Sequence, residues 1–502
     1  MGSSPDIVVI GSGMGGATVA AGLADTGASI LILERGHRLE PGNGERSTRA
    51  IFVENRFRTR EQWRDGNGRP FNPGNFYFVG GNSKMYGAAL FRFRREDFEA
   101  REHPGGVSPA WPFPYEELEP WYGRAEALYR VRGRLGEDPT EPPHSTPYPH
   151  PPVPDEPAIA GVRERLKRQG LHPFSLPLGV DVDRWLEGGR TPWDGHPDTR
   201  SGKMDAETCA LEKALAHDNV RIETGARVER LEAASGGRRI AAVHVRQAGE
   251  SRKVTAGIVI LSAGAVNSAA ILLRSADSAS PAGLANRSDQ VGRHFMNHNC
   301  SAMLAIDPRR RNDAVYQKTL GLNDFYLSDG AGGPPLGNVQ LLGKIDGTIL
   351  KANLPWCPKP ALDWAARRSV DWYLMSEDLP DRKSRVRVDG EDIVLDWTRA
   401  NMGTHERLTT TMRRVLKACG YPVVLAKPFD RRTPSHQCGT VRIGADPSRS
   451  ALDPHCKAWD HDNLYVVDAS CLPTSAAVNP ALTVAALALR AADRIGRTEL
   501  SA

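Results

Sequence analysis

The chain has 502 residues, 40% of them hydrophobic and 25% charged, with a formal net charge of +5. That length exceeds what one hydrophobic core organises, so two large domains or one with a long insertion are expected, and a mild charge with no dense Lys/Arg block excludes a protein built to track a nucleic-acid backbone. Seven scattered cysteines without a C-x-x-C pair argue against zinc ribbons and disulfide frameworks and for free thiols in a reducing compartment, the cytoplasm; no apolar run approaches the ~18 residues of a membrane-spanning helix, and the first, beginning at Ile7, leaves no room ahead of it for a secretion signal.

The opening run IVVI (7–10) is short, β-branched and wholly apolar, which predicts a buried parallel strand. G-x-G-x-x-G follows at Gly11, Gly13 and Gly16, then a helix pattern rich in small residues, then a second buried strand, ASILILE, ending at Glu34. Gly11 permits the tight strand-to-helix turn, Gly13 lets backbone approach a pyrophosphate, and Gly16 lets helix pack on strand. The helix N-terminus offers unpaired N–H groups and a positive dipole end to the phosphates. Ser12 and Met14 lie within that turn. Glu34 stands where a carboxylate accepts from ribose hydroxyls, with Arg35 beside it. An acid at the ribose disfavours NADP and leaves FAD or NAD.

A second glycine-rich stretch, VGGNSKMYGAAL, places Gly80, Gly81, Asn82, Ser83 and Met85 where backbone could touch a flat cofactor. Residues 102–200 are proline-dense and predict an extended excursion, a lid or interface arm, around one piece with helical spacing, YEELEPWYGRAEALYRV. Residues 201–232 read helix, turn, strand. The segment 253–275 reads strand, a Gly/Ala turn containing Ala263, then helix. From about 300 the pattern changes to alternating strands with D-G turns and one amphipathic helix, THERLTTTMRRVLKACG, which predicts an antiparallel sheet domain. The expected fold is α/β: a Rossmann-like dinucleotide-binding domain (1–101, 201–299 and 436–502) carrying an inserted α+β domain on an antiparallel sheet (300–435).

Near the end, SHQCGTVRIG sets His436 beside Cys438. A metal ligand would need companions at H-x-x-H or C-x-x-C spacing, and none is near. A Cys–His nucleophile pair has no hydrolase context. A catalytic base and a satisfied core histidine both remain open from these residues alone. Further on, LYVVD predicts a strand, then a helix opening at Asn479–Pro480, with Asn as N-cap and Pro in the first turn.

Five blocks in order, IVVIGSGMGGATVA…LILERG, VGGNSKMYGAAL, LSAGAVNSAAILL, HQCGTVRIG and NLYVVDASCLPTSAAVNPALTVAALALRAAD, resemble the glucose–methanol–choline (GMC) flavin oxidoreductases. HxxGTxRxG and NPALT are most similar to the sugar-oxidising branch, the pyranose oxidases and glycoside 3-oxidases. The resemblance implies FAD lying lengthwise with its pyrophosphate at the first glycine turn and its adenine near Val228. It sets Asp468 and Ala469 against the flavin, and the helix opening, Asn479, Pro480 and Thr483, at the ring edge. His436 matches the catalytic histidine and Asn479 its partner. Met85 stands where covalently flavinylated relatives carry a histidine, so non-covalent FAD is expected. Tyr86 replaces a usual Asn or His, and Val441 replaces a second histidine, leaving His436 alone for base chemistry in its motif. His294, His298 and His405 are expected to be structural or surface residues, and no metal is expected.

The activity implied is oxidation of a secondary alcohol of a sugar, glycoside or cyclitol to the ketone. A hydride passes to flavin N5 and a proton to His436. A non-sugar alcohol from a biosynthetic pathway, and a flavin-binding protein without catalysis, are the alternatives. The hydroxyl oxidised, the electron acceptor (oxygen or a quinone or other carrier) and the oligomeric state are open.

Overall fold

The computed structural model describes residues 4–433 and 436–500. Its nucleotide half is built on a five-stranded parallel sheet in the order Leu464–Val466, Ile258–Leu261, Ile7–Ile10, Ile30–Leu33, Val220–Glu223. Ile7–Ile10 is central and buried throughout, with Val9 facing Ile260 on one side and Ile32 on the other. A strand covered on both faces must be apolar at every position, which is why IVVI, ILIL and IVIL do not alternate. The helices Met14–Leu23 and Ala481–Glu499 pack closely, because a Cβ on Gly22 would lie 2.7 Å from the Ala492 Cβ. Chain start and chain end are thereby locked together.

The second large sheet has six strands, antiparallel throughout, in the order Val423–Pro428, Asn299–Ile306, Ser369–Ser376, Asn338–Leu341, Leu320–Leu322, Phe174–Ser175. The helix Met402–Ala418 covers one face. Leu408, Met412 and Leu416, spaced by four, pack with Met303, Trp372 and Leu374 as an amphipathic helix requires.

The expected segment boundaries are crossed twice. The proline-dense span supplies Phe174–Ser175 to the six-stranded sheet, and the hairpin Arg385–Asp396 pairs in parallel with Trp63–Asp65 of the N-terminal segment. Nor is that span a free excursion. Its helix Tyr115–Leu128 packs on Ala481–Glu499, where Arg490 donates to Glu117 at 3.1 Å. Arg92 forms a two-pronged buried pair with Glu126, at 2.8 and 2.7 Å. Local periodicity carries no sign of such partners, which lie far off in sequence.

Candidate active site

A cavity of about 520 Å³ runs from the C-terminal ends of the parallel strands to the face of the six-stranded sheet. It has the size and place of a ligand site in an open α/β fold. At one end lies the first glycine turn. Gly11 has φ +101°, and a Cβ there would sit 2.3 Å from the Ser262 carbonyl oxygen. Gly16 is closed off against the Gly11 carbonyl, 2.0 Å from where its Cβ would be, while a Cβ on Gly13 would meet nothing within 4 Å. Space is therefore kept open above Gly13. Gly81 approaches the Gly13 backbone beside that space without filling it, its Cβ position 3.3 Å from the Gly13 Cα, and Gly80 N–H donates to Ser12 Oγ at 3.1 Å. The two glycine loops thus brace one another across the cavity.

Glu34 ties this turn together. Its Oε2 accepts from Ser12 N–H at 2.9 Å and Ser12 Oγ at 2.7 Å, and its Oε1 from Gly36 N–H at 2.7 Å. Oε1 retains a lone pair for a ribose hydroxyl. The Arg35 guanidinium lies 3.7 Å from the centre of the Tyr77 ring. Asp468 is buried and accepts from Gly264 N–H, Ser268 Oγ and Ser470 N–H; burial pushes its carboxyl upward against those bonds.

Of the expected site residues, all line the cavity except Gly16, Gly80 and Thr483. Gly16 and Gly80 serve the turns behind it. Thr483 is turned away, fully buried, with Oγ1 2.7 Å from the Tyr122 hydroxyl of the proline-dense segment. Asn479 does not cap its helix either. Pro480 occupies the N-cap position without a side-chain cap, because the Asn479 amide is drawn into the cavity.

There Asn479 Nδ2 lies 3.2 Å from His436 Nε2. His436 has φ +71°, and its other nitrogen, Nδ1, is 2.8 Å from His298 Nδ1. His298 Nε2 is 2.8 and 2.9 Å from the carbonyl oxygens of Ser475 and Ala476. Carbonyls only accept, so His298 carries its proton on Nε2, and its Nδ1 accepts from His436 Nδ1–H. The network therefore assigns the lone pair of His436 to Nε2, the nitrogen beside Asn479. Burial, then the neighbouring His298 and Lys318, hold the His436 imidazole well below the usual histidine range, so it is a neutral acceptor at neutral pH.

His298 corrects the sequence reading, which set it aside as structural or surface. A two-residue antiparallel bridge pairs Met296 with Cys438 through N–H···O bonds of 3.0 and 2.9 Å, and that register carries His298 opposite His436. His294 and His405 are buried. His294 lies 3.2 Å from Gln290 Oε1, and His405 bonds the hydroxyls of Ser301 and Ser376. The far wall was also illegible in the sequence. Lys318 pairs with Asp194 at 2.9 Å, near Leu342, Tyr373 and Phe429.

Two expected results follow from this geometry. Because the folded pKa of His436 is depressed, the base is neutral above that value and is lost only as pH falls through it. The acid limb of kcat/KM should lie below about pH 6.5, the unperturbed histidine value; a pH–rate profile with its acid limb above that would contradict the assignment. Replacing His298 by Ala frees His436 Nδ1 and unlocks its tautomer. Turnover should fall by about tenfold or more with flavin content unchanged, as read by steady-state kinetics on flavin-normalised enzyme.

The open space above Gly13, the bracing Gly81 loop and the carboxylate of Glu34 fit a dinucleotide. The GMC oxidoreductase family models match residues 182–300 and 380–488, and a model of an NAD(P)-binding Rossmann-like domain matches residues 9–43. The chain is 31% identical to 6'''-hydroxyparomomycin C oxidase of Streptomyces lividus, over 98% of this chain and 91% of that one. It is 28% identical to paromamine 6'-oxidase of Streptomyces fradiae, again over 98% and 91%. A crystal structure of pyridoxine 4-oxidase from Mesorbium loti superposes with a TM-score of 0.68 at 20% identity, covering 98% of this chain and 99% of that one. Among the described residues no helix is long and apolar enough to cross a membrane. The chain belongs to the GMC oxidoreductase family, which implies a flavin cofactor, FAD.

Proposed function

We propose that this protein oxidises an alcohol of a sugar or glycoside to the carbonyl, giving a ketone where the alcohol is secondary. The observation that carries the reading is the pairing of His436 Nε2 with Asn479 Nδ2 at 3.2 Å in the cavity that also holds the dinucleotide turn. An alcohol entering between them donates its proton to Nε2, while the Asn479 N–H donates to its oxygen and holds negative charge as it develops there. His298 anchors the imidazole from behind by accepting from Nδ1–H. FAD, when bound, supplies the hydride acceptor.

The far wall suits a polyhydroxylated ring. The Lys318–Asp194 pair offers donor and acceptor groups, and Tyr373 offers a ring face. Relatives named for oxidising paromamine and hydroxyparomomycin support a glycoside, amino sugars included. We assign cofactor binding to 1–101, 201–299 and 436–502, substrate binding to 300–435, and to 102–200 a buttressing role with Asp194 reaching the substrate wall. Seven scattered cysteines without a C-x-x-C pair, six of them buried, support a cytoplasmic setting.

Met85 is buried beside Ile51 and Phe57 and lines the cavity. A thioether cannot form the histidyl–flavin bond, so the FAD is held non-covalently. Acid precipitation should release it into the supernatant, and yellow colour retained in the pellet would refute that. The reading as a whole is tested by a panel of sugars, glycosides and non-sugar alcohols, with oxygen uptake and dye reduction measured side by side. Turnover of sugars or glycosides is expected, the two traces separating oxygen from a carrier as acceptor. Turnover of non-sugar alcohols alone would overturn the substrate class.

A further inference from the structure

Behind Asn479 a line of buried side chains runs through the six-stranded sheet and out to the proline-dense segment. Asn479 Oδ1 accepts from Gln340 Nε2 at 2.9 Å. Gln340 Nε2 also donates to Asn338 Oδ1 at 2.9 Å, Asn338 Nδ2 to Asn323 Oδ1 at 2.8 Å, and Asn323 Nδ2 to Asp138 Oδ2 at 2.7 Å. The three amides between Asn479 and Asp138 are all 0% exposed.

The chain has a direction, and Asp138 sets it. Its carboxylate accepts at every contact: Oδ2 from Arg94 and Asn323, Oδ1 from Thr140 N–H and Thr140 Oγ. Paired with Arg94, these oxygens offer acceptors only, so Asn323 must present its NH2 to Asp138 and its carbonyl oxygen to Asn338. The same constraint passes to Asn338, then to Gln340, then to Asn479. Turning any one amide over would set oxygen against oxygen or NH2 against NH2. Gln340 shows the cost of the arrangement: both its N–H groups are used, while its buried Oε1 finds no partner among the described residues. A buried polar atom left unpaired is destabilising, so the direction of the chain overrides local satisfaction at that point.

We propose that Asp138 is a positioning residue for the reaction, acting through Asn323, Asn338 and Gln340 to fix the NH2 end of the Asn479 amide toward the reacting oxygen. The proposal rests on the alcohol-oxidising reading of His436 and Asn479. It also gives the proline-dense segment a role in the chemistry, because Asp138 lies in it.

The relay and a plain charge effect differ in sign. If Asp138 mattered only as a distant negative charge, removing it would make His436 harder to protonate. If it orients the relay, removing it lets Asn479 turn its carbonyl oxygen to His436 Nε2, which favours the protonated imidazole, and takes the N–H donor from the substrate oxygen. The variants are Asp138→Asn, isosteric, and Asn323→Leu, which cuts the relay and leaves the Arg94–Asp138 pair in place. Each is made as holoenzyme, and kcat, KM and the pH profile are measured alongside the His436 titration by NMR of 15N-histidine-labelled protein.

We expect unchanged flavin content, kcat lowered by about tenfold or more with KM within about threefold, and His436 titrating at higher pH than in the wild type. Turnover within about twofold of wild type, or a His436 titration moved to lower pH, would overturn the relay. Should Asp138→Asn fail to fold, Asn323→Leu decides by the same readouts. A wild type inactive on every sugar and glycoside sinks the functional reading instead, and the NMR titration, which needs no substrate, then still decides the relay.

Discussion

Protein with His436 replaced by Ala is expected to purify yellow, with a full complement of FAD, and to turn over at least about 10²-fold more slowly than the wild type. The imidazole contributes to the reaction through one atom, Nε2, whose lone pair is assigned by the His298 contact at 2.8 Å and whose neighbour is the Asn479 amide at 3.2 Å. Removing it takes away the acceptor for the hydroxyl proton and leaves the cofactor turn, more than 400 residues earlier in the chain, untouched. The backbone at 436 has φ +71°, a conformation in which the wild type already carries a Cβ, so the substitution introduces no new backbone clash. Stopped-flow and steady-state rates on flavin-normalised enzyme check the result. A variant with near-normal turnover would defeat the role given to His436.

The second large effect is expected at Gly13. A Cβ there meets nothing within 4 Å, and its φ of −72° suits any residue. Gly13→Val should therefore fold with a melting temperature close to that of the wild-type apoprotein. The added side chain nevertheless fills the space at the helix N-terminus where a pyrophosphate would lie. The expected product is folded, colourless protein that does not regain colour on incubation with FAD. Gly11→Ala supplies the contrast: with φ +101° and a Cβ 2.3 Å from the Ser262 carbonyl oxygen, it strains the turn itself, and its melting temperature should fall. Circular dichroism melts with flavin absorbance separate the two. Yellow Gly13→Val protein would place the cofactor elsewhere.

What could be read in advance divides along a physical line. The strand Ile7–Ile10, the glycine turn and Glu34 are local. They sit within about 30 residues of one another, and their spacing alone constrains what they can bind. His436 and Asn479 were legible through the family resemblance, and the folded chain brings them to 3.2 Å. The support behind them was not. His298 reaches His436 only because Met296 and Cys438 form an antiparallel bridge, a pairing that no periodicity around VGRHFMNH announces. Gln340 and Asn338 read as polar positions in an alternating strand, which ordinarily face solvent; here they are buried and, with Asn323, bonded in a line. Asn479 looked like a helix cap and Thr483 like a cofactor contact, because helix position was visible and tertiary partners were not. Gln340 takes the first inward and Tyr122 holds the second away.

The most direct measurement is anaerobic rapid mixing of the yellow holoenzyme with sugars and glycosides while the flavin absorbance is followed. Fast bleaching by at least one of them, slowed at least about 10²-fold in His436→Ala, is the result expected of a flavin reached through this imidazole. Absorbance that stays unchanged with every sugar and glycoside offered, or bleaching equally fast in the variant, would contradict it.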